Sequence, residues 1–255
     1  IASPTMTDVP PTNEPGAPFD PDRFRPAPLT GRGHLVETTR FAQPVLPTDS
    51  AARFLDGLPD FLGVRNLRAL AGAIAEAPRV LWGMGGHVVK VGLGPLLIDL
   101  AERGHAHGFV LNGAAAIHDA EVALQGSTSE DVGGGLFDGT YGSADETGGL
   151  FAAAAARASI DQVGLGTALG CELLERDPPN ARLSVLCHAA RAEIPVTVHV
   201  ANGTDTDHMH PGCDGADVGA ATLRDFRRLA GLLEGLDGGA YVNVGSAVIL
   251  PEVFL

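Results

Sequence analysis

The sequence predicts an α/β protein built on an open parallel sheet with helices on both faces. Four short runs rich in β-branched and aromatic residues, at 79–82, 108–111, 196–200 and 240–244, alternate with helical patterns. Runs of that length and composition suit strands buried on both faces of a parallel sheet. Each run also ends in a small, glycine-bearing turn with a polar group, the position at which an open α/β sheet receives its ligands. The composition agrees. Of 255 residues, 45% are hydrophobic and 19% charged, enough to bury a substantial core and too apolar for a disordered chain.

Along the chain, residues 1–31 hold Pro4, Pro10, Pro11, Pro15, Pro18, Pro21, Pro26 and Pro28 among few periodic apolar positions. Proline at that density removes amide donors and restricts its neighbours, so an extended arm is expected there. The arm lacks a basic segment followed by an apolar one and does not read as a secretory signal. Residues 32–255 are expected to form a single α/β domain, with helices at 64–77, 88–103, 115–125, 147–157, 163–175, 180–192 and 216–234. The last places Val218, Leu223, Phe226, Leu229, Leu232 and Leu233 on an apolar face, and Arg224, Asp225, Arg227 and Arg228 opposite. Strand–helix alternation implies right-handed crossovers. Pro251-Glu252-Val253-Phe254-Leu255 reads as the first turn of a helix, with the domain expected to continue past it.

Charge narrows the partners. Seventeen Lys and Arg against 31 Asp and Glu leave a net charge of −14, which opposes binding to a phosphate backbone and favours cationic or amine ligands. No apolar run approaches the roughly 18 residues that span a bilayer, so neither nucleic acid nor membrane is expected as a partner. The three cysteines are widely spaced and form no CxxC pair, which fits a reducing, cytoplasmic setting and excludes a disulfide scaffold or a structural zinc finger.

The turns after the four strands are Gly83-Met84-Gly85-Gly86-His87, Asn112-Gly113-Ala114-Ala115-Ala116, Asn202-Gly203-Thr204-Asp205 and Gly245-Ser246-Ala247. The first is not a complete GxGxxG fingerprint. A nucleotide here would be held by several strand ends together, through Gly85, Gly86, His87, Asn112, Gly113, Ala114, Gly245 and Ser246. Glycine also serves simply to make tight turns.

Two polar constellations suggest chemistry. Ile117-His118-Asp119-Ala120-Glu121 opens a helix after the second strand, where imidazole and carboxylates bind an amine or move protons; the acids could equally complement the helix dipole. The loop 202–211 carries Asp205, Asp207, His208 and His210, which suit a metal ion, a hydrogen-bonding substrate site or a bare surface loop. Asp205 and His208 are its leading candidates. The glycine-rich stretch from Thr128 to Gly135, with Thr140 to Ser143, suggests a lid, a subunit contact or a solvated loop. Lys90 could reach a phosphate, but reads more simply as a surface lysine. His105 and His107 read as structural, and Cys187 as core packing.

In the order of these motifs, residues 79–252 resemble the deoxyhypusine synthase-like group of NAD-binding proteins. The likeness rests on Gly85-Gly86-His87, on Asn112 to Asp119, on Ile194-Pro195-Val196 running to Gly203-Thr204-Asp205, and on Val244-Gly245-Ser246-Ala247. Asn112 to Leu124 is also similar to the NAD-binding part of archaeal-type ornithine cyclodeaminases. The resemblance implies a Rossmann-like fold, NAD as cofactor across the strand ends, and a homo-oligomer, dimer or tetramer, with shared sites. It also implies an amine or amino-acid substrate that loses a hydride to form an imine, leading to deamination, cyclisation or alkyl-amine transfer. His118 or Asp205 would then take the ammonium proton, with His208 beside them. Asp119 would hold a cationic end, and Ser246 a cofactor phosphate or ribose. The family's imine-forming lysine, however, is replaced by Leu250, which cannot form an imine, so deoxyhypusine synthesis itself is not expected. Two other functions fit the same residues. One is a metal-dependent hydrolase or isomerase centred on Asp205, Asp207, His208 and His210. The other is a catalytically silent binding or assembly relative.

Overall fold

The computed structural model describes residues 28, 38–44, 46, 48–60 and 63–255. The arm expected at 1–31 lies, apart from Pro28, outside the described residues. Contacts divide the chain into two compact units, 1–66 and 67–255. In the first, α1 (Ala51–Gly57) starts at Ser50, whose hydroxyl accepts the Arg53 amide at 3.2 Å. The helix α2 (Gly63–Glu76) begins in the same unit.

The second unit carries the sheet. Its strands are β1 (Val80–Met84), β2 (Gly108–Asn112), β3 (Val196–His199) and β4 (Ala240–Val244). All pairings are parallel, in the order β3-β2-β1-β4, with Trp82 opposite Phe109 and Val242, and Leu111 opposite Val198. The chain thus steps from β1 through β2 to β3, then returns to lay β4 on the other side of β1. The predicted α/β class and parallel sheet are observed, and all four carboxyl ends emerge at one edge.

Alternate strand residues feed two cores. Phe109, Leu111, Met84 and Val198 pack with α5 (Gly113–Gln125), α7 (Asp145–Asp161), α8 (Leu165–Glu175) and α9 (Val185–Arg191). Alanines 115, 116, 120, 123, 154, 155 and 158 are all fully buried there, and small residues let the helices approach closely. On the opposite face Leu81 and Val110 meet Leu229 of α10 (Gly215–Glu234) and Leu250 of α11 (Ile249–Phe254). Tyr241 crosses this face because residue 83 is glycine: a Cβ there would lie 2.6 Å from the phenol oxygen. The Tyr241 ring stacks on Phe254 with centroids 4.6 Å apart.

Four elements depart from expectation. In α10, Leu223 and Phe226 of the expected apolar face are exposed, and Asp225, expected opposite, is fully buried because it accepts the Gly166 and Val198 amides. The helix expected at 88–103 is two, α3 (Gly86–Lys90) and α4 (Gly94–Glu102). Gly92 at φ +79° reverses the chain between them, and Pro95 stands in the first turn of α4. The stretch 180–192 is a 3-10 turn followed by α9, which starts at Ser184, whose hydroxyl accepts the Cys187 amide at 3.1 Å. The glycine-rich segment contains a short helix, α6 (Val132–Asp138), capped by Asp131. His107 accepts the Val80 amide at 3.1 Å and the His105 carbonyl accepts the Trp82 indole N–H at 2.9 Å, so both histidine positions tie the entry of β2 to β1.

Candidate active site

A cleft of about 230 Å³ opens at the carboxyl edge of the sheet, between α5 and the loop after β3. It lies below the roughly 300–1,000 Å³ of drug-sized ligand pockets and suits a smaller molecule. Its floor follows from the β2–α5 junction. The Asn112 side chain accepts the Ala115 amide at 2.9 Å and starts the helix directly at the strand end. Ala114, Ile117, His118 and Glu121 then fall at i, i+3, i+4 and i+7, on the face lining the cleft. Lys90 at the end of α3, Glu130 and Asp205 complete its charged lining.

His118 is held by a chain of hydrogen bonds. Its Nδ1 lies 2.7 Å from the Thr128 hydroxyl and 3.4 Å from Glu121 Oε2, and the Thr128 hydroxyl donates to the same carboxylate. All of the imidazole's hydrogen bonds among the described residues fall on Nδ1. With Nδ1–H donating toward Thr128, the lone pair sits on Nε2. Burial pushes the Glu121 carboxyl up, but the bonds from His118 and Thr128 outweigh it and hold Glu121 below the usual carboxylate range. Glu130 accepts the Gly142 amide at 2.9 Å, fastening the rim.

Asp205 reaches the cleft by resting on the backbone of α5. A Cβ at Gly113 would lie 1.9 Å from Asp205 Oδ2, so only glycine admits the carboxylate. Burial, then the neighbouring Asp207, pushes the Asp205 carboxyl up to about 6, against the pull of His208. Asp207 is 8% exposed, with Oδ1 lacking a hydrogen-bond partner. His208 accepts the Gly203 amide on Nδ1 at 3.2 Å, and its buried Nε2 has no partner. Asp205, Asp207 and His208 form the one group of metal-ligating side chains found among the described residues. His210 does not join them. Its Nδ1 accepts the Gly212 amide at 3.0 Å and its Nε2 faces Asp145 at 3.2 Å.

Two sequence expectations are corrected. Asp119 does not face the cleft. It is fully buried, and its oxygens accept the Ser184 hydroxyl at 2.6 Å and the Val185 and Leu186 amides, both at 2.9 Å. It caps α9 from α5 and has no access to a substrate cation. The eight residues expected to cradle NAD do not form one cradle. The turns after β1 and β4 meet directly: the Gly85 amide donates to Val244, and a Cβ at Gly85 would lie 2.0 Å from the Gly245 carbonyl oxygen. Ser246 is buried and accepts the Leu250 amide at 3.1 Å, Asn112 caps α5, and Gly113 lies under Asp205. Gly86 packs against His118 and Ala114, and His87 is exposed. Of the eight, Ala114 lines the cleft. As a dinucleotide site the set does not fit.

No family model matches the chain, and no curated protein matches it in sequence. Among solved structures it is similar to the apo form of an arginine dihydrolase from the ornithine-ammonia cycle in Cyanobacteria. That match has 15% identity and a TM-score of 0.45, and spans 74% of this chain but 24% of the dihydrolase. A provisionally named deoxyhypusine synthase from Entamoeba histolytica matches at 11% identity and TM-score 0.49, over 81% of this chain and 92% of that one. A conserved, provisionally named LOR/SDH protein from Methanococcus maripaludis matches at 15% identity and TM-score 0.38, over 91% and 74%. At such identities and overlaps none of them transfers a reaction to this chain. No helix among the described residues is long and apolar enough to cross a membrane.

The sequence reading underrated Glu121, Thr128 and Lys90. The helical spacing of Glu121 from His118 was a usable signal. The return of Thr128 onto both was not, because it depends on how the chain folds back after Gly126, which takes φ +78°.

Proposed function

We propose that the chain is an enzyme acting on a small amine or amino acid bound in the cleft at the carboxyl edge of the sheet, with His118 as its general base. The observation that carries this reading is the hydrogen-bonded chain from His118 through Thr128 to Glu121 in an acid-rich cleft. Glu121, Glu130 and Asp205 set a field that attracts an ammonium group, and Lys90 offers a partner for a substrate carboxylate. His118 Nε2 takes a proton from the substrate ammonium. The resulting charge on the ring is stabilised through Nδ1–H, Thr128 and Glu121, and the nitrogen lone pair is freed for reaction. These steps are carried by the chain's own residues and call on no NAD.

Calorimetric titration with a diamine, a dibasic amino acid, a neutral amino acid and NAD tests the reading. Expected are binding of an amine, weakened at least tenfold in Glu121→Gln, and a loss of turnover of about 10²–10⁴-fold in His118→Ala. Binding of NAD with no binding of any amine would overturn the proposal.

A further inference from the structure

Beside the cleft, an oxygen of Asp205, one of Asp207 and a ring nitrogen of His208 lie within 4.8 Å of one another. Asp207 is more than nine-tenths buried with Oδ1 unpartnered, and His208 Nε2 is buried and unpartnered as well. Buried polar atoms are nearly always satisfied. Two orphans on adjacent residues therefore mark a place for something the chain itself does not supply. A void of about 10 Å³, too small for an organic ligand, is lined by Asp207, His208 and Cys213 among Phe151, Leu165 and Val218; Asp205 lines the cleft instead.

We propose that Asp205, Asp207 and His208 bind a single divalent transition-metal ion of the zinc or manganese kind. Two carboxylates bring two negative charges, which a dication neutralises. The imidazole beside them selects a borderline ion over calcium or magnesium, which take oxygen shells. Three protein ligands leave a coordination position open, as in catalytic rather than structural zinc sites. Asp205 also lines the cleft, so the ion sits at its wall. Ligation through Nε2 requires the imidazole proton on Nδ1, where the Gly203 amide now donates. Binding exchanges that bond for the metal bond, and the exposed turn around Gly203, itself at φ +87°, is the part that gives way. The inference shares Asp205 with the amine reading, whereas Asp207 and His208 lie outside the lining of the cleft.

The test strips the full chain with a chelator, loads it with Zn²⁺ or Mn²⁺ alone and measures retained metal and the binding isotherm. One ion per chain is expected. Asp207→Asn and Asp205→Asn each weaken it roughly 100-fold or more, since losing a neighbour that merely orients a ligand already costs about 10- to 100-fold. Glu121→Gln retains the ion while binding the amine at least tenfold more weakly, which separates failure of this inference from failure of the proposed function. In the wild-type chain Zn²⁺ shifts the NMR signals of the His208 ring and the Gly203 amide and leaves His210 in place; this readout decides alone if a variant does not fold. Substoichiometric metal in the wild type, full retention by Asp207→Asn, or Zn²⁺ shifts centred on another histidine would each overturn the proposal.

Discussion

Asp119 accepts three hydrogen bonds across the α5–α9 junction, and its removal leaves the Val185 and Leu186 amides and the Ser184 hydroxyl buried without that partner. At about 1–3 kcal/mol for each buried group left unsatisfied, Asp119→Ala is expected to destabilise the fold by roughly 3 kcal/mol or more, read as a lower urea midpoint. Asp225 and His199 make stability depend on pH in opposite senses. Burial outweighs the Gly166 and Val198 amides and pushes the Asp225 carboxyl up to about 7. The folded chain keeps that proton while the unfolded chain, with an ordinary value of 3.8, releases it. Stability from this group therefore falls as pH rises from 3.8 to about 7, by on the order of 4 kcal/mol. Between pH 5 and pH 8 Asp225 contributes about 3 kcal/mol of that fall and His199 offsets much of it, so Asp225→Asn should turn a small net fall in the urea midpoint into a rise. Burial lowers His199 from 6.5 to about 4, so its contribution is complete above 6.5 and is lost as pH falls toward 4. In His199→Gln this opposing contribution is removed, so the fall due to Asp225 between pH 4 and 6.5 should stand out undiminished.

The contact of α5 with the loop after β3 is the junction on which the site depends. Gly113→Ala would drive a methyl group into Asp205 and push the loop off the helix. The expected outcome is roughly 1–3 kcal/mol of lost stability, together with weaker amine binding by calorimetry. At this scale the sequence was legible where local pattern decides. All four strands fall within a residue or two of their apolar runs, and His118 and Asp205 were visible because they follow strand ends. Continuous patterns hid the rest. Val88, Val89, Leu93, Leu96 and Leu97 continue a helical stripe through Gly92, so the break between α3 and α4 left no trace in the periodicity. Gly133 to Gly135 masked α6, because glycine lowers helix propensity without forbidding a capped turn. Asp119 was misread for a different reason: its partners lie at Ser184 to Leu186, and its burial exists only once α9 packs against α5.

In the whole molecule, β1 and β2 are the two inner strands, and Phe109, Val110 and Leu111 are fully buried. Their amides are expected to exchange with deuterium most slowly, and those of β4, where Asn243 is exposed, sooner. A mass-spectrometric exchange series that found β4 the most protected would contradict this ranking. The strand order has a further consequence during synthesis. The ribosome finishes β1 early, yet the neighbour that covers its outer flank is β4, which emerges only after residues 85–239 have been translated. At about 5–20 residues per second the nascent chain carries a bare, apolar strand edge for roughly 8–30 s. Such an edge invites pairing with other chains, so the yield of folded protein should depend on holdase chaperones during that interval.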